Sequence, residues 1–169
     1  MKVVFLDVDG VLINRRSWYV RDRHRRATPD PPCLAALNRI LRETGARIVL
    51  SSTWRKNSPR RELVNMLREW KVEGKLIGET PDMAGKIRGV YVCKTRGQEI
   101  EAWLHGASEV EAFVILDDDG DMAPFLDRLV KTKFDDGLTE ADADRAIALL
   151  RVPAPRRSRE SVNTFDIVV

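Results

Sequence analysis

Thiols are scarce in this chain: Cys33 and Cys93 are the only cysteines in 169 residues. That excludes a disulfide framework and a cysteine-rich zinc site, and it fits a reducing compartment. Histidine is as rare, and His24 and His105 lie far apart, which argues against a histidine metal centre. No apolar run approaches the roughly 18 to 20 residues that a membrane span needs. The N-terminal MKVVFLDVDGVLI is interrupted by Asp7 and Asp9 and is followed by no small-residue cleavage site. It is therefore not expected to be a secretory signal, and the expected compartment is the cytoplasm. Lysine is also under-used: 8 Lys accompany 21 Arg, with a net charge of only +3.

What is present is a globular composition, 43% hydrophobic and 33% charged, enough for one domain with one core. The runs KVVFL (2–6), ARIVL (46–50) and AFVIL (112–116) are apolar and rich in β-branched residues, the pattern of strands buried on both faces. Weaker strands are expected at 75–78 and 129–132. Helical spacing appears after Pro31 and Pro32, ending at Gly45, and again after Ser58 as N-cap with Pro59 in the first helical position. Further helices are expected from about Gly97 and after Thr139. Trp70 and Trp103 fall at helical spacing among Leu and Ile and read as core.

This alternation predicts an α/β three-layer sandwich around a doubly wound, mostly parallel five-stranded sheet with right-handed crossovers. Residues 1–151 form the expected domain, and 152–169, opening with prolines and arginines, form a tail whose apolar end, Phe165 to Val169, could dock. The stretch 11–30 is too short for a cap domain, and 54–95 must supply a helix and a sheet strand, so no large cap is expected.

The candidate chemistry lies at the ends of the three strongest strands, where open α/β sheets place their sites. FLDVDGVL puts Asp7 at the end of the first strand and Asp9 two residues on, with Gly10 permitting the turn. IVLSSTWR ends the second in Ser51 and Ser52, followed by Trp54 and Arg55, and VILDDDGDM ends the third in Asp117, Asp118, Asp119 and Asp121. Such a carboxylate cluster calls for a cation, and hard oxygen ligands favour Mg²⁺. Asp119 is expected to point outward, and Asp135 and Asp136 before Gly137 to form an exposed turn. A receiver domain would carry its acidic pair and phosphorylated Asp in the reverse order.

In this order, the DxD followed by Gly-Val, the Ser-ended strand, a basic residue before a helix and a late Asp-Asp pair resemble the four motifs of the haloacid dehalogenase (HAD) superfamily of aspartate-nucleophile phosphatases. The resemblance covers about residues 1–150. SSTWR, RGQEI and KTKFDDGLTEADADRAIALL are also similar to HAD domains of RNA repair systems. It implies Asp7 as nucleophile, Asp9 as general acid and then base, and Ser51 as donor to the transferring phosphoryl group. Mg²⁺ would be held by Asp7, the Asp9 carbonyl and Asp117, with Asp118 or Asp121 supporting it through water. Either Lys94 or Arg96 would be the basic residue, and Arg96 is preferred for its place at a helix entry. Ser52, Arg55, Lys94 and Trp54 are candidate substrate contacts; Trp54 could equally lid the core.

From Arg15 to Arg26 there are six arginines, with Trp18 and Tyr19 interleaved and Asp22 the only acid. Arg21 and Arg23 of this stretch are candidate contacts to a nucleic-acid backbone, since guanidinium groups match phosphate oxygens and rings stack on bases. The expected substrate is thus a terminal phosphate of RNA or DNA. A phosphoprotein or small phosphomonoester is the alternative, and a catalytically decayed RNA- or protein-binding module is the alternative of another class.

Overall fold

The computed structural model describes residues 1–22, 25–87, 90–92 and 94–154, with the backbone alone for 86, 87 and 90–92. Arg23, His24, Cys93, the arginines at 156, 157 and 159 and the apolar tail end lie outside the described residues. Five parallel strands form the sheet: β1 (Lys2–Leu6), β2 (Arg47–Leu50), β3 (Leu76–Glu79), β6 (Ala112–Asp117) and β7 (Leu129–Lys131), in the order β3-β2-β1-β6-β7. The order reverses between β1 and β6. The helices are α1 (Pro31–Thr44), α2 (Trp54–Asn57), α3 (Arg60–Glu69), α4 (Arg96–His105) and α5 (Glu140–Arg151).

Strand alternation sorts the core into two layers. Val4, Leu6, Ile48, Leu50, Val114 and Leu116 pack against α1, α3 and α5, whereas Val3, Phe5, Val49, Phe113 and Ile115 pack against α4 and the segment around Met122 and Phe125. Both faces are therefore covered, which is why the strands read as continuous apolar runs. This is the expected three-layer α/β sandwich, and among the described residues no large cap stands over it.

Helix boundaries follow local chemistry. Two prolines open α1, and Gly45 closes it in the left-handed conformation (φ 66°), its N–H bonding to the Leu41 carbonyl. Thr95 and Gln98 form a reciprocal capping box on α4, and Thr139 and Asp142 do the same on α5.

Two local expectations change. Pro59, not Ser58, occupies the N-cap position of α3, so the helix starts one residue later than expected, because Ser58 terminates the unanticipated short helix α2. Residues 54–95 also hold an antiparallel hairpin, β4 (Gly85–Ile87) with β5 (Val90–Val92), outside the main sheet. Three-residue strands are too short for a period-2 pattern to register. The beginning of the tail returns to the body: Ala154 N–H bonds to the Glu111 carbonyl at 2.8 Å, and the Arg128 guanidinium reaches the carbonyls of Val152 and Pro153. Among the described residues, no helix is long and apolar enough to cross a membrane.

Candidate active site

Sheet register assembles the site. Leu6 of β1 is level with Leu50 of β2 and Leu116 of β6, so the next residue of each strand, Asp7, Ser51 and Asp117, arrives at one height on adjacent strands. The Asp7 and Ser51 N–H groups continue the ladder, bonding to the carbonyls of Leu116 (3.0 Å) and Leu6 (2.8 Å). Three residues distant in sequence thus meet at the carboxyl edge, beside the point where the strand order reverses.

Asp7, Asp117 and Asp118 each offer a carboxylate oxygen, and these atoms lie within 4.8 Å of one another. Burial raises the Asp7 carboxyl above the usual range, against hydrogen bonds from the Ser52 side chain and the Val8 backbone. Asp117 is pushed up to about 7, chiefly by burial and then by the neighbouring charge of Asp7. Burial likewise raises Asp118. Asp117 Oδ1 accepts from the Asp119 N–H at 2.9 Å, while Oδ2 is buried without a hydrogen-bond partner among the described residues. An orphaned oxygen among three crowded carboxyls is the donor set a hard divalent cation satisfies, and Mg²⁺ fits it.

Gly10 makes the cluster possible. Its φ of 75° suits the turn after Asp9, and a Cβ there would lie 2.2 Å from the Asp118 carboxylate. Asp121 does not join the cluster: its carboxylate accepts from the Arg96 N–H at 3.0 Å, and its carbonyl from Gly97, so it caps α4. Asp119 is exposed.

Of the two basic candidates, Arg96 faces the cluster. Its guanidinium donates to the Ser51 carbonyl, and its Nε lies 3.9 Å from Asp117 Oδ2. Gly97 lets α4 enter here, since a Cβ would meet the Ala123 carbonyl at 2.1 Å. Lys94, half-buried, lies just before the Thr95 cap. The Ser51 hydroxyl is buried and has no partner among the described residues. Trp54 donates its indole N–H to Asp9 Oδ2 at 2.9 Å.

The Arg55 guanidinium is buried and engaged within the protein, donating to the carbonyls of Thr80 (2.8 Å) and Ser52 (2.7 Å) and to Glu99 Oε2 (2.5 Å). Nothing in the sequence singles out Glu99, because its partner is 44 residues away. Lys131 is a further residue that the sequence reading passes over. It stands level with Asp117 in register and tempers the raised carboxyl of Asp118; its position at the end of the fifth strand is the one signal that could have found it.

The Arg-rich loop is partly tied down. Arg16 pairs with Asp30 at 2.6 Å, Arg26 with Asp22 and Glu69, and Arg15 with Asp135. Arg21 turns back on its own loop, donating to the carbonyls of Trp18 and Val20. Tyr19 is 85% exposed, and Trp18 packs edge-on against Phe134 of the loop following β7, with ring centroids 5.2 Å apart. Asp135 and Asp136 are exposed, as expected, and the Asp136 carbonyl accepts from Asn14 at 2.9 Å.

Carboxylates converging from β1 and β6 at the switch point of a parallel sheet, with a basic helix entry against them, are the arrangement of a HAD-type domain. Residues 3–143 match the family model described as the HAD domain in Swiss Army Knife RNA repair proteins, and the chain belongs to that family. Among curated proteins, none matches it. Membership supports a HAD-type, phosphatase-like role.

Proposed function

We propose that this domain is a Mg²⁺-dependent phosphomonoesterase acting through an aspartyl-phosphate, with the terminal phosphate of a nucleic-acid strand as substrate. The observation that carries this reading is the meeting of Asp7, Asp117 and Asp118 within 4.8 Å, beside the Arg96 guanidinium. A phosphate ester resists attack through its own negative charge, so the residues needed are an in-line nucleophile, cations and a proton donor. A carboxylate oxygen of Asp7 attacks phosphorus while the bond to the leaving oxygen breaks, and Asp9 gives that oxygen its proton. Asp9 then takes a proton from water as it attacks the phosphorus of the acyl phosphate, releasing inorganic phosphate and restoring Asp7. Arg96 offsets the charge of Asp117 and of the bound phosphate. Ser51, whose hydroxyl is otherwise unpartnered among the described residues, donates to the phosphoryl group. Asp7, Asp117, Asp118 and the Asp9 carbonyl would hold Mg²⁺, whose charge screens the carboxylates from one another and from the phosphate.

The nucleic-acid end is supported by the absence of a large cap among the described residues, which leaves the edge of the sheet open to bulky substrates. It is supported too by the arginines and exposed rings between Arg15 and Arg26, and by the family's association with RNA repair. The test is hydrolysis of an aryl phosphate and of a phosphorylated oligonucleotide, with Mg²⁺ and after chelation, by wild type and Asp7→Asn. Turnover should need the divalent cation and fall by at least about 10³-fold in the variant, which keeps the shape of the side chain but not its nucleophilicity. Hydrolysis by Asp7→Asn within about tenfold of wild type would remove the covalent mechanism. No hydrolysis by wild type under any condition would favour a phosphate-binding module.

A further inference from the structure

Trp54 lies on the first helical position after the Ser51–Ser52 strand end, and the proposed chemistry gives it no task. Its indole is held on several sides. The ring meets Trp70 edge-on, with centroids 5.8 Å apart at 68°, and packs on the larger core cluster. Its backbone N–H points at Ser52 Oγ, 3.4 Å away. Nε1 donates to Asp9 Oδ2 at 2.9 Å. The main chain of Asp9 is fixed as well, since Asp9 bridges to Ile13 and the Gly10 N–H bonds to the Ile13 carbonyl at 2.7 Å. A rigid ring therefore grips one oxygen of a carboxyl whose backbone is pinned.

The identity of that oxygen matters. An indole N–H only donates, so Oδ2 must accept. The hydroxyl oxygen of a carboxylic acid is a poorer acceptor than its carbonyl oxygen, so a proton carried by Asp9 resides on Oδ1. We propose that Trp54 is a positioning residue for Asp9: it fixes the carboxyl rotamer and makes Oδ1 the oxygen that exchanges protons with the leaving group and with water. This assignment rests on reading Asp9 as the acid and base of the reaction. It replaces the reading of Trp54 as a substrate contact, because the ring is already engaged with Trp70 and its polar edge with Asp9.

Leaving groups test it. An ester of 2,4-dinitrophenol departs without a proton, whereas glycerol phosphate or a nucleoside monophosphate needs one. Steady-state kinetics with Mg²⁺ would compare wild type, Trp54→Phe, Asp9→Asn and the double variant on both ester types. In Trp54→Phe, kcat/KM, which reports attack on the ester before the shared aspartyl-phosphate is hydrolysed, should fall about tenfold more for the alkyl ester than for the aryl ester, part of the 10²- to 10⁴-fold that a positioned acid contributes. Asp9→Asn should show a larger bias of the same kind, and adding Trp54→Phe to it should change the bias by less than about twofold, the sign of two residues acting through one group. If Asp9→Asn is biased and Trp54→Phe lowers kcat/KM equally for both esters, the proposal fails while the role of Asp9 stands. A loss confined to the nucleoside ester, carried by KM and not shared by glycerol phosphate, would mean base stacking and also overturn it. If Asp9→Asn itself shows no bias, the acid-base reading of Asp9 fails and takes the proposal with it. Should the Phe variant unfold, the benzothienyl analogue of tryptophan at position 54 keeps the bicyclic ring and lacks the N–H; it should reproduce the bias, and its failure to do so overturns the assignment.

Discussion

Asp117 is under marked electrostatic stress. It is fully buried, one oxygen lacks a hydrogen-bond partner among the described residues, and burial with the neighbouring Asp7 charge pushes its carboxyl up from 3.8 to about 7. The unfolded chain gives up this proton near pH 4 and the cation-free folded protein near pH 7. Between those values the native state binds more protons than the unfolded one, so stability falls as pH rises. Chelated wild type should accordingly melt several degrees lower at pH 7.5 than at pH 5, whereas Asp117→Asn, neutral throughout, should lose much of that dependence. Added Mg²⁺ should restore the wild type at pH 7.5 and leave the Asn variant largely unmoved, because the cation stabilises only the state that holds it. Differential scanning calorimetry at two pH values, with and without Mg²⁺, checks this; equal pH dependence in both proteins would contradict it.

At the scale of elements, α4 is set against the second strand end by a buried ion pair. Arg55 lies on the short α2, and Glu99 is three residues beyond Arg96 on α4; their side chains are 4% and 8% exposed. Glu99 also accepts from the Met83 N–H at 3.2 Å, so one carboxylate joins α2, α4 and the segment preceding the hairpin. Removing one member strands the other charge, at a cost on the order of 3–5 kcal/mol, whereas removing both as apolar residues is often close to neutral. Arg55→Met should therefore lower denaturant stability by that amount, with Arg55→Met/Glu99→Met recovering most of it. A substrate-binding arginine would behave otherwise, raising KM while stability stayed within about 1 kcal/mol. Urea unfolding of the three proteins distinguishes the two.

For the molecule as a whole, the question is how an open sheet edge takes hold of a large substrate. The Arg15–Arg26 loop leaves the strand that carries Asp7, and its base is anchored through Asn14, Asp30 and Arg16. Its ion pairs remove Arg16 and Arg26 from the set available to a phosphate backbone, so the informative substitutions are Arg21→Gln with Arg23→Gln. Oligonucleotide affinity should fall, and the slope of log K against log salt should flatten by about 0.7 for each phosphate of a single strand that is no longer neutralised. Aryl-phosphate hydrolysis measures the reacting groups apart from the loop. Parallel declines on both substrates would mean that the loop shapes the catalytic pocket, and an unchanged salt slope would make these arginines solvated surface.

The architecture and the order of its motifs were legible in the sequence because they depend on local signals. Continuous β-branched runs mark strands covered on both faces, Gly and Pro mark their boundaries, and acids or hydroxyls directly after such runs fall at the carboxyl edge. What only the tertiary structure decided is which of several chemically equivalent side chains turns inward. Arg55 and Arg96 were both plausible phosphate ligands; the strut to Glu99 claims the first, and the approach of α4 to Ser51 and Asp117 directs the second. Asp118 and Asp121 were equally plausible supports for a cation, and the cap on α4 takes Asp121. Trp54 finds Asp9 across 45 residues. These choices depend on distances between chain segments, which no periodicity within a single segment encodes.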